Sequence, residues 1–279
     1  MSIPMFEKRV DLHNHTNFSD GVLSPFQLVK AAKEKGIAAL GITDHDTMEG
    51  IAPAEAAGQK YNLEIIPGIE LSTSSWGKEF HLLGYFCDPS AQQLKNILDT
   101  MASDRQKRMK KMIARLENLG LAIDIREVLS QTKGRAPGRP HLASVLHQKG
   151  YCRTPAEAFQ RYIGNGCPAF VERFKLDLFK AINSLHAAGG IPVLAHPGIY
   201  NGDRFISSMV KGGLKGIEVY HPDHSPKDEI RYRQLAQKYN LLITGGSDYH
   251  GGGIGTAPAV GTVTIGYHYL EKLKRMVLR

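Results

Sequence analysis

Short apolar runs alternate with amphipathic segments through the first third of this chain. Four apolar runs predict buried strands, at residues 8–12, 37–42, 64–72 and 80–86. Ser24 and Pro25 predict the start of a helix, because serine caps helix N-termini and proline fits the first helical position. This helix ends near Gly36, and a second helix ends near Tyr61. Strands that alternate with helices at this spacing are typical of parallel βα units, which build an α/β barrel or a doubly wound sheet.

The alternation stops after Pro89 and a long helical pattern replaces it. Apolar residues recur at helical spacing over residues 90–118, up to a stop at Gly120. Shorter helical segments are predicted at 125–131, 141–149 and 155–162. We therefore predict that residues 90–171 form a helical insertion, placed to act as a lid. Its stripe of methionine and leucine is expected to form a small core of its own.

The βα alternation returns in the carboxyl-terminal part of the chain. Apolar runs predict four further strands, at residues 191–195, 216–220, 241–244 and 259–263. Helices are predicted at 177–188, at 225–239 and at the basic carboxyl terminus. About seven of these strands are of the barrel type, so the expected fold is an α/β barrel, (β/α)7, formed by residues 1–89 and 172–279.

The formal charge of +8 comes from one part of the sequence. Residues 90–174 contain 15 Lys or Arg against 7 Asp or Glu, and the rest of the chain is balanced. A neutral body with one basic segment indicates an anionic partner that approaches from one side. For the run 105–111 taken alone, a solvated helix face is an equally good explanation.

Length and composition exclude several classes of protein. With 279 residues, 42% of them hydrophobic, the chain can bury a large core. No stretch approaches the ~20 continuous apolar residues of a membrane span, and the amino terminus lacks the pattern of a secretion signal. Cys87, Cys152 and Cys167 are widely spaced, which argues against a disulfide framework and a structural zinc knuckle. We predict a cytoplasmic protein without membrane association, and the sequence indicates no obligate protein partner.

Histidines and carboxylates stand at the ends of five predicted strands. His13 and His15 are one residue apart, and on a strand such positions point to the same face. Later strand ends carry Asp44 with His45, then His196, then His221, then Asp248 with His250. In (β/α) barrels the active site is built at the carboxyl ends of the strands. One such histidine alone is more often a core residue, but five coinciding strand ends predict a site for several metal ions.

These residues lie in segments that resemble those of the PHP (polymerase and histidinol phosphatase) family of metal-dependent phosphoesterases. The segments are Asp11-Leu12-His13-x-His15-Thr16, Ser19-Asp20-Gly21, Thr43-Asp44-His45-Asp46, Gly68-x-Glu70, Ala195-His196-Pro197 and Ser247-Asp248-x-His250. The helical insertion and Arg139-Pro140-His141 are most similar to the subgroup of 3′,5′-nucleoside bisphosphate phosphatases and 5′→3′ exoribonucleases. The resemblance covers essentially the whole chain. It implies a distorted seven-stranded barrel with a trinuclear metal centre.

The resemblance also implies nine metal ligands. The first metal would be held by His13, His15, Glu70 and Asp248, and Glu70 would bridge to the second metal. That second position would be completed by His81 and His196, and the third would be formed by Asp20, His45 and His250. None of the nine is missing, which implies an active enzyme. Nitrogen and oxygen donors without thiolate suit Mn, Fe or Zn, and the resemblance favours three Mn ions.

This ligand set implies hydrolysis of phosphate esters. Two metals about 3.5–4 Å apart would bridge a hydroxide and make it a nucleophile at neutral pH. Arg139 is the first candidate for gripping the phosphate, since a guanidinium binds phosphate bidentately. Further candidates for substrate binding are His141, His224, Ser225 and Lys227. The candidates for protonating the leaving oxygen are His221 and His224.

The expected function is therefore a metal-dependent phosphoesterase that acts on nucleotides or short RNA. Two substrates stay open: a 3′,5′-nucleoside bisphosphate that loses its 3′ phosphate, and a short 5′-phosphorylated RNA degraded from its 5′ end. One alternative is a phosphatase for a small metabolite such as histidinol phosphate, for which the basic insertion would have no purpose. Another is a non-catalytic PHP module that binds metal or nucleic acid, which a missing ligand would have indicated.

Overall fold

The computed structural model describes residues 8–135, 137–251 and 258–277. The strands of this part of the chain are β1 (Arg9–Asp11), β2 (Ala39–Ile42), β3 (Glu64–Ser75), β4 (Lys78–Tyr85), β5 (Leu176–Asp177), β6 (Ile191–Leu194), β7 (Gly216–Tyr220), β8 (Leu242–Gly245) and β9 (Ile265–Gly266). The α-helices are α1 (Pro25–Glu34), α2 (Ile51–Tyr61), α3 (Gln92–Glu117), α4 (Ile125–Leu129), α5 (Arg139–Gln148), α6 (Pro155–Ala158), α7 (Leu178–Ala187), α8 (Asp203–Lys211), α9 (Pro226–Tyr239) and α10 (Tyr267–Val277). No helix of the described ranges is long and apolar enough to cross a membrane.

The strands form one sheet in the order β8-β7-β6-β4-β3-β2-β1-β9, with β5 paired to β3. Strands β1, β2 and β3 are parallel to one another, as are β6, β7 and β8. Strand β8 at one end of this order approaches β1 near the other end, where the Leu12 N–H donates to the Gly245 carbonyl oxygen at 3.2 Å. The sheet is thus a nearly closed barrel with helices around it, which confirms the predicted α/β barrel.

Strand β4 departs from the parallel arrangement that the sequence predicted. It is antiparallel to β3 and also to β6. The connection from β3 to β4 is the two-residue turn Trp76–Gly77, in which both residues have positive φ (50° and 72°). Such a turn matches the twist of a tight hairpin, so no crossover helix intervenes. The hairpin also extends β3 to Ser75, beyond the predicted end at Ser72.

The strand predicted at residues 259–263 is wrong. The chain turns there, with Gly261 at φ 75°, and the strand β9 follows, antiparallel to β1. The Gly261 N–H donates to Asp11 Oδ2 (2.8 Å), and the Val263 N–H donates to Ser247 Oγ (3.1 Å). Polar side chains therefore bind the backbone groups that a strand would have paired.

Buried apolar residues form three clusters. The largest joins the sheet to the helices around it, and a second joins strands β1, β2, β3, β4 and β6 to α10. The third consists of residues from the predicted insertion, including Met109, Met112, Leu116, Leu142 and Leu146. Helix α3 contributes to two clusters, because its first half (Leu94, Leu98, Met101) packs in the largest one. We therefore propose that the boundary between barrel and insertion lies within α3.

The segment between α4 and α5 docks directly on the loop after β1. The Lys133 N–H donates to the Asn17 carbonyl oxygen at 2.7 Å, and Thr132 Oγ1 donates to the same oxygen at 3.2 Å. A Cβ added at Gly134 would lie 2.0 Å from the Phe18 carbonyl oxygen, so only glycine permits this approach. The insertion thus packs against the loop that carries Asp20.

Candidate metal centre

Six strands and the residues that follow them bring the nine predicted ligands together. They are His13, His15 and Asp20 after β1, His45 after β2, Glu70 in β3, His81 in β4, His196 after β6, and Asp248 and His250 after β8. Parallel strands end at the same side of a barrel, which explains why residues so distant in sequence meet. The antiparallel β4 reaches the same place from the opposite direction, since His81 pairs with Ser72 of β3.

Glu70 lies at the middle of the cluster and is completely buried. Five imidazole nitrogens surround its two carboxylate oxygens. On Oε2 these are His45 Nδ1 (3.0 Å), His15 Nε2 (3.2 Å) and His13 Nε2 (3.4 Å), and on Oε1 they are His81 Nδ1 (2.9 Å) and His196 Nε2 (2.9 Å). Both oxygens of this one carboxylate thus face imidazoles that come from four other strands or the loops after them.

Three groups of potential ligand atoms each fit within 4.8 Å. One group has the composition predicted for the first metal: His13, His15, Glu70 and Asp248. A second group is His15, Asp20, His45 and His250, which adds His15 to the predicted third position. The remaining group is His45, Glu70 and His81, whereas His196 was predicted in place of His45. The partition of ligands among metals therefore stays a prediction.

Several buried polar atoms of the cluster form no hydrogen bond of suitable geometry within the described chain, although some lie within 3.0–3.4 Å of one another, as His45 Nδ1 and Glu70 Oε2 do at 3.0 Å. They are His13 Nε2, His15 Nδ1, Asp20 Oδ1, His45 Nδ1 and Glu70 Oε2. A buried polar atom left unsatisfied costs about 1–3 kcal/mol, so native proteins rarely collect five of them in one place. All five are nitrogen or oxygen atoms that can bind a divalent metal. The residues present thus fit metal ions of the Mn, Fe or Zn type.

The electrostatics of the cluster favour cations. Burial works to raise the pKa of Glu70 and of Asp248, but neighbouring imidazoles outweigh it and hold both pKa values well below their usual range. Burial, only partly offset by Glu70 and Asp20, lowers the pKa of His45 to about 3. Ionised carboxylates at this depth require positive charge between them, which divalent ions supply.

Glu218 belongs to the centre although the sequence analysis missed it. It is fully buried on β7, where its Oε1 lies 3.0 Å from His13 Nδ1 and its Oε2 accepts the His196 N–H at 2.8 Å. A carboxylate behind a metal-binding histidine fixes the ring and its tautomer. The signal was a charged residue inside an apolar strand, Gly216–Tyr220.

Two further carboxylates hold the loops of the centre in place. Asp44 Oδ1 accepts the Thr16 N–H (2.7 Å) and the Ser19 hydroxyl (2.5 Å), beside Asp20. Asp11 Oδ2 accepts the Ser247 hydroxyl (2.6 Å), beside Asp248. Each buried carboxylate therefore ties the backbone of a ligand-bearing loop.

Positive φ angles occur at non-glycine residues of the centre. His196 has φ 26°, Asp248 φ 48° and Asp46 φ 55°. Side chains disfavour this region, and such residues persist where the surrounding contacts over-determine them. Here the restraint comes from Glu218 for His196, from His221 for Asp248 and from Arg105 for Asp46.

The pair Asp46–Arg105 links the insertion to the centre. Asp46 is next to His45, and its Oδ2 accepts from Arg105 Nε of α3 at 3.0 Å. Asp46 Oδ1 accepts the Ser72 N–H at 2.8 Å, so the same carboxylate also holds β3. Sequence reasoning placed Arg105 in a basic run but gave it no partner.

The candidates for proton transfer and substrate binding after β7 have different surroundings. His221 Nδ1 accepts the Asp223 N–H (3.1 Å), which leaves Nε2 facing Asp248 Oδ2 at 3.2 Å. His224 has both ring nitrogens engaged by backbone, with the Val219 carbonyl oxygen (2.8 Å) and the Gly198 N–H (3.1 Å). We therefore leave His224 out of the proposed catalytic and substrate-binding residues.

Ser225 and Lys227 stand at the start of α9. The Ser225 hydroxyl and N–H both donate to Asp228 Oδ2, at 2.6 and 3.0 Å, which is a helix capping box. Lys227 is exposed. The hydroxyl and N–H that were expected to bind substrate are thus engaged in capping the helix, and a structural role explains Ser225.

The two candidates from α5 lie on the insertion side. His141 is buried, and its Nδ1 accepts the Gly138 N–H at 2.9 Å. Burial lowers the pKa of His141, and the nearby Asp20 carboxylate offsets part of this. The Arg139 guanidinium lies 5.6 Å from the ring centres of both Phe159 and Phe170. Within the described chain its hydrogen bonds go to the Ile163 carbonyl oxygen and to Asn165.

Together the barrel and its ligand cluster define a metal-dependent hydrolase, and comparison with known proteins agrees. Residues 11–131 match the family described as the PHP domain. A 5′-3′ exoribonuclease of Haemophilus influenzae is 34% identical, over 87% of this chain and 90% of its own length. The chain belongs to the PHP family of metal-dependent phosphoesterases.

Two other relatives act on different substrates. A phosphoribosyl 1,2-cyclic phosphate 1,2-diphosphodiesterase of Eggerthella lenta is 32% identical, over 90% of this chain and 97% of its own length. A 3′,5′-nucleoside bisphosphate phosphatase of Chromobacterium violaceum is 32% identical, over 88% of each chain. Among solved structures, a protein of Bifidobacterium adolescentis assigned as a metal-dependent phosphoesterase superposes with a TM-score of 0.89 and 29% identity, over 98% of each chain.

Proposed function

We propose that this phosphoesterase hydrolyses phosphate esters of nucleotides, either a 3′,5′-nucleoside bisphosphate or a short 5′-phosphorylated RNA. The observation that carries the proposal is the convergence of five imidazoles on the buried carboxylate of Glu70, together with the unpaired atoms around it. Such a site serves metal-assisted hydrolysis. The basic insertion that packs against it favours an anionic substrate larger than a simple phosphate.

Three divalent ions, with Mn preferred, would occupy the three ligand groups. The proposed ligands are the nine predicted from the sequence: His13, His15, Asp20, His45, Glu70, His81, His196, Asp248 and His250. When bound, these ions lower the pKa of water and neutralise charge on the phosphate oxygens. Glu218 and Asp46 are proposed to hold His13 and the His45 loop in the orientation that binding needs.

The chain's own cations would orient the substrate. Arg105 reaches the rim of the centre through Asp46, and Arg139 lies on the insertion beyond it. A guanidinium presents parallel donors that match two phosphate oxygens, which fixes the phosphate in one orientation. We propose that Arg139 and His141 bind the nucleotide from the side of the insertion, as the sequence suggested.

His221 is the proposed proton donor to the leaving oxygen. Its Nδ1 accepts a backbone N–H, so the neutral ring carries its proton on Nε2, on the side of Asp248. A proton held there is available to an oxygen bound beside Asp248. Replacement of His221 by alanine should lower kcat about 10²–10⁴-fold for a substrate with a poor leaving group. The loss should be smaller for an aryl phosphate, whose leaving oxygen needs no proton.

The test is a product assay with Mn-loaded protein on two substrates, adenosine 3′,5′-bisphosphate and a short 5′-phosphorylated RNA. Release of phosphate or of mononucleotides, abolished by a chelator and by His196→Ala with the fold retained, would support the proposal. Hydrolysis of histidinol phosphate or of an aryl phosphate, with neither nucleotide substrate consumed, would show that the nucleotide assignment is wrong. Absence of turnover on every phosphate ester would indicate a non-catalytic metal-binding module.

A further inference from the structure

A basic cleft separates the insertion from the β3–β4 hairpin. Its cavity measures about 430 Å³ and its wall includes residues of the hairpin tip, of α3, of α5 and of the segment before β5. The charged and aromatic residues that line it are Lys78, Glu79, Arg108, Arg139, Phe170, Glu172, Arg173 and Lys175. Five cations against two carboxylates make it an anion-binding surface.

The two carboxylates of the basic cleft pair with Arg173 and Lys175. Arg173 Nη2 lies 3.2 Å from Glu79 Oε2, and Lys175 pairs with Glu172. Glu79 is 57% exposed, so its pair with Arg173 is worth little in water and a stronger anion can displace it. Arg173 itself is only 21% exposed, which holds its guanidinium in place.

Two other arginines that line the basic cleft, Arg108 and Arg139, have no carboxylate partner among the described residues. Within the described chain Arg108 and Arg139 form no salt bridge, and Arg108 Nε donates to the Val171 carbonyl oxygen at 2.7 Å. Burial and the neighbouring guanidiniums of Arg139, Arg105 and Arg173 lower the pKa of Arg108 to about 10. Guanidiniums held together against their own repulsion are stabilised when a phosphate binds between them.

The basic cleft continues outward from the metal centre along two elements. On the β4 side, Lys78 Nζ donates to the Tyr200 carbonyl oxygen at 3.4 Å, and the Tyr200 hydroxyl lies 2.8 Å from Nδ1 of the proposed ligand His196. On α3, Arg108 follows Arg105 by three residues, about one helical turn. A nucleic-acid strand whose terminal nucleotide lies at the metals can therefore extend along the cations of the basic cleft toward the hairpin tip.

We propose that Arg173 and Lys78 form a second phosphate site, which binds a backbone phosphate of a single-stranded oligonucleotide whose terminal nucleotide lies at the metal centre. This inference rests on the proposed function and selects the oligonucleotide from its two substrates. A closed mononucleotide pocket needs no cations on the hairpin tip. In the free protein Glu79 forms an ion pair with Arg173, and this pair breaks when the phosphate binds.

The test compares adenosine 3′,5′-bisphosphate with a 5′-phosphorylated pentaribonucleotide in Mn-loaded protein. Arg173→Ala should raise the KM for the RNA about tenfold, as expected for one charge-assisted contact, and leave the KM for the bisphosphate within about twofold. Glu79→Gln should lower the KM for the RNA, because the competing carboxylate is gone. The matched control is Arg161→Ala, which removes an insertion arginine that pairs with Glu157 and does not line the basic cleft.

A second readout is the affinity of Mn-loaded protein for a fluorescently labelled pentaribonucleotide with a non-hydrolysable backbone, measured by anisotropy. In Arg173→Ala the affinity should fall, and the slope of log K against log salt should decrease by about 0.7, the value for one phosphate contact on a single strand. Equal effects of Arg173→Ala on both substrates, or the same loss in Arg161→Ala, would overturn the second site. Turnover of neither substrate, with anisotropy still sensitive to Arg173, would contradict the proposed function and leave the cleft as an oligonucleotide-binding surface.

Discussion

Single buried carboxylates decide how well the imidazoles of the metal centre are oriented. Glu218 contacts the ring of His13 and the backbone of His196 with its two oxygens, and it is fully buried. Replacing Glu218 by glutamine keeps the shape but removes the charge that fixes the His13 tautomer. We expect Glu218→Gln to weaken Mn binding about 10–100-fold, the usual effect of losing such a partner. Activity measured against Mn concentration, together with metal content after dialysis, checks this.

The control for this variant is Glu117→Gln. Glu117 is exposed on α3, and its replacement removes the same charge from the chain. The Glu218→Gln variant should recover much of its turnover at saturating Mn, since the proposed ligands themselves remain. If Mn affinity is unchanged while turnover falls, Glu218 acts in a step other than metal binding and this interpretation is wrong.

The sequence alone was enough to select those candidate metal ligands that are marked by residue type and by position at a strand end. His13 and His15 were found because strand periodicity places both on one face, and the remaining strand-end histidines followed from their position. Glu218 and Asp46 were not assigned a role, because a carboxylate inside a strand or a loop acquires one only from the side chain that it meets. The pairing with His13 or Arg105 depends on contacts between elements far apart in the chain, which no local pattern encodes.

At the scale of elements, the Asp46–Arg105 pair fastens helix α3 to the loop of His45. Asp46 is buried, and Arg105 is 14% exposed. Removing one partner leaves the other charge buried without compensation, so Arg105→Ala is expected to lower the free energy of unfolding by about 3–5 kcal/mol. The double variant with Asp46→Ala should be less destabilised than the sum of the two single variants.

Urea denaturation of the wild type, both single variants and the double variant measures this coupling. Lys107→Ala on the exposed side of the same helix serves as the control and should change stability by less than about 0.5 kcal/mol. Additive effects of Arg105→Ala and Asp46→Ala would show that the pair does not join the insertion to the centre.

The start of helix α9 tests the reassignment of Ser225 from substrate binding to capping. Its hydroxyl contacts Asp228 in a capping box, so Ser225→Ala is expected to cost about 1 kcal/mol of stability. The kcat/KM for either nucleotide substrate should stay near the wild-type value. A large loss of kcat/KM without loss of stability would restore Ser225 to the substrate site.

Element positions followed well from periodicity where a helix separates two strands, as for β1, α1 and β2. The strand at β4 was predicted, but its antiparallel direction was not, because the Trp76–Gly77 turn has no glycine or asparagine at its first position to indicate a hairpin. It failed again at residues 259–263, where Asp11 and Ser247 capture the backbone. Both failures concern pairing partners, which are set by three-dimensional contacts.

At the scale of the whole molecule, the metal centre is also a structural junction. Six strands and the residues after them would supply its ligands, so occupied metal sites would link β1 to β8, where the barrel closes. The same convergence of carboxylates and imidazoles that favours metal binding is destabilising without a cation, because buried polar atoms stay unpaired.

We therefore expect metal removal to lower the thermal stability of the protein. At a Mn concentration about 100 times the Kd, binding adds about 2.7 kcal/mol per site. For a chain of this size each occupied site corresponds to a rise in Tm of roughly 5–10 °C over chelator-treated protein, measured by scanning calorimetry. His196→Ala should show a smaller rise, because one donor on the Glu70 side is lost. Calcium prefers oxygen ligands and should give little effect at the same concentration. An equal rise with calcium, or an undiminished rise in His196→Ala, would mean that Mn stabilises the protein at some other place.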